Sequence, residues 1–380
     1  MPAKPTTASA TVSPRDAGFA ARVIAWQRRC GRHDLPWQAQ PAEPYRVWLS
    51  EIMLQQTQVA AVIPYYLRFL QRFPDLDALA AAQLDEVMAA WSGLGYYARA
   101  RNLHACARRL AAAGGRFPTA ATVIAELPGV GRSTANAIAA FCYGERVAIL
   151  DGNVKRLLCR HFAIEGYRGS AAVERELWQL AESLLPQRDV AVYLQGQMDL
   201  GAAVCTRSRP RCGECPVAAT CLARAQDSVG RLPAPRPRAE LPRRRSEVLV
   251  LRQRDRVLLE LRPPSGIWGG LLALPQLAAA TDPRQAALRL GCSATGAFRE
   301  LPILRHDFTH FRLELAPLLA EVEAVPTAAE PGLRWLALGD IEDAALPTPV
   351  RTILRRLAAA ASENAAVAAP RQDLEPSLDA

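Results

Sequence analysis

The chain is 380 residues long, half of them hydrophobic, with a net charge of +9. That length suggests about two to three domains, and the apolar content is ample for packed cores. No run of ~18 apolar residues occurs, which excludes a membrane-spanning helix. Nine cysteines, an odd number, argue against a secreted disulfide framework and for a reducing, cytoplasmic setting. The basic excess suits a polyanionic partner. It is almost wholly arginine, because Lys4 and Lys155 are the only lysines.

Residues 1–14 are rich in Ala, Thr, Ser and Pro and read as a disordered N-terminus without a secretory signal. A helix is expected near Gly18–Cys30, followed by loop. Tyr45–Val62 reads as one helix, with Trp48, Ile52, Val59 and Ile63 on an apolar face. Glu51, Gln55 and Gln58 would then share a polar stripe. Pro64 restarts a helix through Phe73. Further helices are expected near Ala78–Ala90, Ala98–Ala112 and Val173–Leu185.

The stretch from Leu127 to Asn153 is the most informative. Leu127-Pro128-Gly129-Val130-Gly131 is a tight turn leading into a helix at Ala135–Phe141. Gly129 and Gly131 let the backbone turn sharply and approach a ligand. Past Arg132, Ser133 and Thr134 open that helix, whose first N–H groups lack internal partners and suit a phosphate. Asp151-Gly152-Asn153 precedes another helix, at Val154–His161. There Asp151 reads as a cap, an active carboxylate, or both.

No period-two alternation precedes residue 246, so the first 225 residues read as all-α. Residues 226–246, with Pro233, Pro235, Pro237, Pro242 and Arg243-Arg244-Arg245, read as an extended linker. Beyond it Val248, Val250, Val257, Leu259 and Leu261 alternate, with a hairpin turn at Arg254-Asp255. Helices near Pro283–Leu290 and Pro349–Ala361 make residues 247–361 an α+β domain. Residues 362–380 read as a disordered tail.

Cys205, Cys212, Cys215 and Cys221 have the spacing C-x6-C-x2-C-x5-C. Four thiolates in one loop can hold an iron–sulfur cluster, and structural zinc is the rival. Only one C-x2-C pair is present, and no histidine lies near in sequence. Arg207, Arg209 and Arg211 sit inside the loop, where they read as phosphate contacts or as a solvated face.

These motifs together resemble one family. Trp48-Leu49-Ser50-Glu51-Ile52-Met53-Leu54-Gln55-Gln56-Thr57-Gln58-Val59 and Gly93-Leu94-Gly95-Tyr96-Tyr97-Ala98-Arg99 are similar to stretches of MutY-type adenine DNA glycosylases. The 127–131 hairpin, Asp151-Gly152-Asn153 and the cysteine loop complete a match over roughly residues 17–225. The implied fold is multidomain: an all-α helix-hairpin-helix glycosylase domain over 15–225, with a [4Fe–4S] loop at 205–221, then an α+β Nudix-like domain. Gly266-Ile267-Trp268-Gly269-Gly270-Leu271 and Phe308-Thr309-His310-Phe311 carry the second resemblance. The paired glutamates of a Nudix pyrophosphatase are absent, so that domain is expected to recognise 8-oxoguanine rather than hydrolyse.

The resemblance implies a role for each residue. Glu51 is the general acid, and its neighbours Ile52 and Leu54 should raise its pKa by desolvation. Asp151 stabilises the oxocarbenium-like transition state, with Ser133 and Asn153 in support. Bifunctional relatives carry a Schiff-base lysine at position 133, so Ser133 implies a monofunctional glycosylase. Gln55, Gln56 and Tyr96 would enter the duplex, while Leu127, Gly129, Gly131 and Arg132 hold its backbone. Trp37, Gln38 and Gln195 would line the adenine pocket. Thr309 and His310 would read 8-oxoguanine. The expected partner of this monomer is double-stranded DNA with an A:8-oxoguanine or A:G mispair. An endonuclease III-like glycosylase and lyase, and a catalytically silent DNA-binding protein, are the alternatives.

Overall fold

The computed structural model describes residues 18–236, 241–263, 266–308, 310–324 and 332–368. The expected N-terminal disordered stretch and Thr309 lie outside them. The described residues fall into two compact units, one within Met1–Ala81 and Asn102–Ala239, the other within Ala82–Arg101 and Glu240–Ala380.

The first unit is helical. α1 (Phe19–Cys30) buries Phe19, Val23 and Trp26 at helical spacing and carries Arg28 and Arg29 in its last turn, where the helix dipole favours cations. α2 (Pro44–Leu54) starts on a proline at its first turn and buries Tyr45, Trp48, Leu49, Ile52 and Met53. It does not continue to Val62 as the periodicity suggested. The chain breaks at Gln55–Gln58, where Gln56 takes φ 58°, and Glu51, Gln55 and Gln58 do not share a stripe. α3 (Val59–Arg72) runs through Pro64 rather than restarting there. Pro64 is inside that helix, so the bond that an N–H there would make to Ala60 O is missing.

α4 (Leu76–Ala81) closes this part of the unit. α5 (Leu84–Trp91), opened by a Gln83–Glu86 capping box, belongs to the second unit. The single helix expected over 78–90 is thus two. α6 (Ala98–Ala112) crosses the boundary between the units, and α7 (Ala121–Ile124) leads to the hairpin. α8 (Arg132–Tyr143) and α9 (Gly152–His161) follow it. At Gly129 φ is +75° and an added Cβ would stand 2.6 Å from Asn102 Cβ, so glycine is required on both counts.

α10 (Ala171–Ser183) and α11 (Val190–Ala203) complete the core, which gathers Phe19, Val154, Leu158, Leu177, Tyr193 and Leu200. α11 passes close to α9, because a Cβ at Gly201 would meet Asn153 at 2.6 Å. α12 (Leu222–Ala225) ends the cysteine loop. Residues 226–236 are less extended than the linker reading held. Ser228 and Leu232 are buried, and Leu232 O accepts from Arg160 Nε at 2.8 Å. No described helix is long and apolar enough to cross a membrane.

The second unit is built on a mixed sheet. β1 (Arg243–Gln253) begins inside the expected linker and pairs in parallel with β7 (Arg312–Ala324) over ten residue pairs, Arg243↔Arg312 to Arg252↔Glu321. β1 turns through Arg254, at φ 57°, into antiparallel β2 (Arg256–Leu261). β3 (Leu272–Ala273), β4 (Cys292–Ala294), β5 (Arg299–Glu300), β6 (Leu304–Asp307) and β8 (Leu333–Ala337) complete it, with β3-β2-β1-β7-β4 as its spine. The alternating Val248, Val250, Val257 and Leu259 fill one face, and Leu249, Leu251 and Leu258 fill the other. A strand buried on both sides reads as a continuous apolar run.

α13 (Pro283–Arg289) is capped by Asp282. α14 (Thr348–Ala368) packs Val350, Ile353, Leu354 and Leu357 on the sheet and runs past 361 into the expected tail. Its alanine-rich end has high helix propensity, which a reading on polarity alone overlooks.

Candidate active site

Two elements bring the carboxylates together. Glu51 stands near the end of α2, among buried Ser50, Ile52 and Met53. Asp151 is delivered by the buried run Ala148-Ile149-Leu150, which α8 stitches in place. Asn136 Nδ2 donates to Ala148 O at 2.6 Å, and Leu150 N donates to Ser133 Oγ at 3.0 Å. Asp151 then caps α9, its Oδ1 accepting from Asn153 N at 3.0 Å and Val154 N at 2.7 Å. The two readings of Asp151 are thus compatible, since capping uses mainly one oxygen. Oδ2 takes Asn153 Nδ2 at 3.2 Å.

Their environments differ. Burial, and then the charge of Asp151, push the Glu51 carboxyl up to about 8. Burial also raises Asp151, but bonds from Val154 and Asn153 and the Arg156 guanidinium oppose it. A carboxylate that accepts several N–H bonds keeps its charge better than one that does not. At about 8, the Glu51 carboxyl holds its proton at neutral pH.

Glu51, Trp37, Gln38 and Gln195 line one cleft of about 470 Å³. Asp151 and Ser133 are not among its lining residues. Trp37 is nearly buried and packs edge-on against Tyr66. Gln38 closes its own loop, Oε1 accepting from Leu35 N at 3.2 Å. Two further residues, Arg32 in this wall and Asp199 outside the lining, escaped the sequence reading. Arg32 also lines the cleft, and its guanidinium meets buried Asp199 at 2.6 Å. Asp199 in turn takes Gln195 Nε2 at 2.9 Å. Their spacing of four on one helix was the only local signal.

The hairpin residues are placed as a turn should be. Leu127 is buried beneath it, and Gly131 N-caps α8. Arg132 is engaged within the protein, ion-paired with Glu182 and stacked 3.9 Å over Trp178. Gln55 and Gln56 lie on the break after α2. Tyr96 belongs to the second unit, half-exposed on a turn at φ 49°. That turn is held to the sheet domain. Arg351 donates to Ser92 Oγ at 2.6 Å, and Tyr97 Oη donates to Leu346 O at 3.1 Å. His310 is exposed in the segment before β7.

The four cysteines surround one small cavity with Leu157, Val204 and Val217. Among the described residues, no three His, Cys, Asp or Glu side chains close on a single metal ion. Burial pushes the Cys215 thiol up to about 11 and raises Cys221. Arg160 sits against the loop, 3.4 Å from Cys205 Sγ. A histidine does lie near in space: His161 lines the same cavity, its Nδ1 buried without a partner. Asn153 and Arg156 join the two sites. Arg156 donates to Asn153 Oδ1 at 2.8 Å and to Cys205 O at 2.7 Å.

Residues 49–183 match the HhH-GPD superfamily of base excision DNA repair proteins, and residues 247–356 match a NUDIX domain. An adenine DNA glycosylase of Buchnera aphidicola is 34% identical, covering 87% of this chain and 94% of its own. The chain belongs to the adenine DNA glycosylase family. The Homo sapiens adenine DNA glycosylase is likewise 34% identical, over 88% of this chain and 72% of its own. A solved thermostable thymine-DNA glycosylase is 27% identical with TM-score 0.51, covering 56% of this chain and 97% of that one.

Proposed function

We propose that this family member hydrolyses the N-glycosidic bond of adenine mispaired with 8-oxoguanine or guanine in duplex DNA. The observation that carries the proposal is the raised Glu51 carboxyl, at about 8, in a cleft with Trp37, Gln38 and Gln195. A neutral acid there protonates the departing base, whose loss as an anion is slow. Asp151, where N–H donors and the Arg156 guanidinium oppose the rise imposed by burial, is proposed to stabilise the positive sugar as the carboxylate. Adenine must leave the stack to enter such a cleft. Gln55, Gln56 and Tyr96 are proposed to hold the opened duplex, and the 127–132 hairpin its backbone.

The reaction is proposed to be hydrolytic and monofunctional. Ser133 is no amine and spends its oxygen on Leu150 N, while Lys155 is paired with Glu174 at 2.6 Å. The glycosylase domain is assigned residues 15–225 and the 8-oxoguanine-reading domain residues 247–361, with Thr309 and His310 as readers. The protein is proposed to act as a cytoplasmic monomer at the nucleoid.

Cys205, Cys212, Cys215 and Cys221 are proposed to hold a [4Fe–4S] cluster. Four thiols around a cavity suit a cluster, and the Arg160 guanidinium suits its net negative charge. When bound, such a cluster cross-links the loop. Arg160 and Arg156 hold the loop's carbonyls and so place Arg207 and Arg209 for phosphate.

Single-turnover cleavage of duplexes holding A:8-oxoguanine, A:G and A:T, with and without alkali, tests the reading. Alkali-dependent cleavage of the first two is expected. Strand cleavage without alkali at the excision rate would favour the lyase alternative.

A further inference from the structure

We infer that Asp199 is a positioning residue that fixes which end of the Gln195 amide faces the base cleft, and thereby sets selectivity for a purine with a 6-amino group. The inference rests on the proposed adenine excision. Gln195 and Asp199 stand one turn apart on α11, with Gln195 Nε2 2.9 Å from Asp199 Oδ1. Asp199 is 1% exposed. Its carboxylate also accepts from Arg32 Nε at 2.7 Å, Arg32 Nη2 at 2.6 Å and the Arg32 backbone N–H at 2.9 Å.

A carboxylate paired with a guanidinium only accepts hydrogen bonds. The end of Gln195 that it holds must therefore be the NH2. Turning the amide over would set oxygen against oxygen in a buried position, which costs an unmade bond. The carbonyl oxygen is left for the cleft that Gln195 lines with Glu51. Such an oxygen accepts from a 6-amino N–H. It repels a 6-keto oxygen, and it gains nothing from a purine bare at C6. Arg32 completes the device by neutralising Asp199, so that the base meets a dipole rather than a negative charge. Its backbone bond also ties the loop after α1 to α11.

The test uses full-length protein and duplexes holding adenine, hypoxanthine or unsubstituted purine opposite 8-oxoguanine. Asp199→Ala removes the acceptor and leaves only the donating Arg32 guanidinium beside Gln195, so the Gln195 carbonyl is no longer held toward the cleft. The preference for adenine over hypoxanthine is expected to fall about tenfold, as one selective hydrogen bond is lost. Excision of unsubstituted purine should stay within about twofold of the parent, because that base makes no such bond. A merely structural role would lower all three rates together. That result, or an unchanged preference, would overturn the inference.

Should Asp199→Ala fail to fold, Gln195→Glu asks the same question with the Asp199–Arg32 pair intact. The introduced carboxylate would face Asp199 acceptor to acceptor and need a proton to stay. Adenine excision should then fall more steeply than in the parent between about pH 6 and about pH 8. A pH profile matching the parent's would overturn the inference. A parent that excises no adenine at all defeats the proposed function instead.

Discussion

Glu51 and Asp151 are the same chemical group, proposed to serve opposite uses set by their surroundings. With Glu51 at about 8, single-turnover excision should be level through neutral pH and fall about tenfold per pH unit well above that value. Glu51→Gln should abolish excision by several orders of magnitude while duplex binding survives; turnover near the parent rate would remove Glu51 from the mechanism. The same shift affects stability. Between the ordinary 4.5 and about 8, the folded protein holds a proton that the unfolded chain has lost, so stability falls as pH rises through that window. Glu51→Gln lacks this slope. Its melting temperature should gain on the parent's from about pH 5 to about pH 8. Desolvation of Glu51 was legible from its neighbours Ile52 and Leu54. Asp199 was not, because its partner Arg32 is 167 residues away and only folding brings them together. Ser133→Lys should introduce borohydride-trappable strand cleavage at a stability cost of about 1–2 kcal/mol, since Leu150 N loses its acceptor. Equal trapping in the parent would show that Lys155, or another amine, already reaches the sugar.

Elements that end on local chemistry were readable, and those that end on tertiary demands were not. α9 starts where Asp151 can cap it, and α6 matches its expected bounds. The break between α2 and α3 has no proline or glycine to announce it, and apolar periodicity carries across it. It places Gln55 and Gln56 on a turn rather than a helix face. The hairpin offers a direct test of an element. Gly129→Ala puts a Cβ 2.6 Å from Asn102 at φ +75°, a strain worth about 1–3 kcal/mol. The variant should melt lower and bind duplex more weakly, with adenine selectivity unchanged. Parent-like melting would mean that the turn relaxes freely. The cysteine loop is a second such unit. Cys212→Ser should lose iron and sulfide together with resistance to proteolysis across 205–221. Stoichiometric zinc and no iron in anaerobically prepared parent protein would replace the cluster assignment with a structural zinc site.

At the scale of the whole molecule, two family matches in the expected order made the bipartite plan legible from motifs. The assignment of residues 82–101 to the sheet unit was not legible, because α5 and the turn after it lie in sequence amid the glycosylase helices. This changes what removing the second domain should do. By motif alone, truncation after residue 236 would cost only the reading of the opposite base. Thr309 and His310 are the proposed readers, and a hydroxyl acceptor suits the N7 hydrogen that 8-oxoguanine has and guanine lacks. Loss of that match should lower the preference for A:8-oxoguanine over A:G by about tenfold to a hundredfold, from about 1–3 kcal/mol. Truncation, however, also strips Ser92 of Arg351 and Tyr97 of Leu346 O, so the turn carrying Tyr96 loses its support. Excision at A:G should therefore fall as well. Thr309→Ala and Arg351→Gln separate the two losses. The first should reduce only the 8-oxoguanine preference, and by less than truncation, because His310 remains. The second should slow A:8-oxoguanine and A:G alike, leaving their ratio intact. Single-turnover rates for both duplexes decide this. A truncated protein with parent rates at A:G would show that the Tyr96 turn holds its shape without the sheet. An unchanged ratio after truncation would place lesion recognition wholly in the first 236 residues.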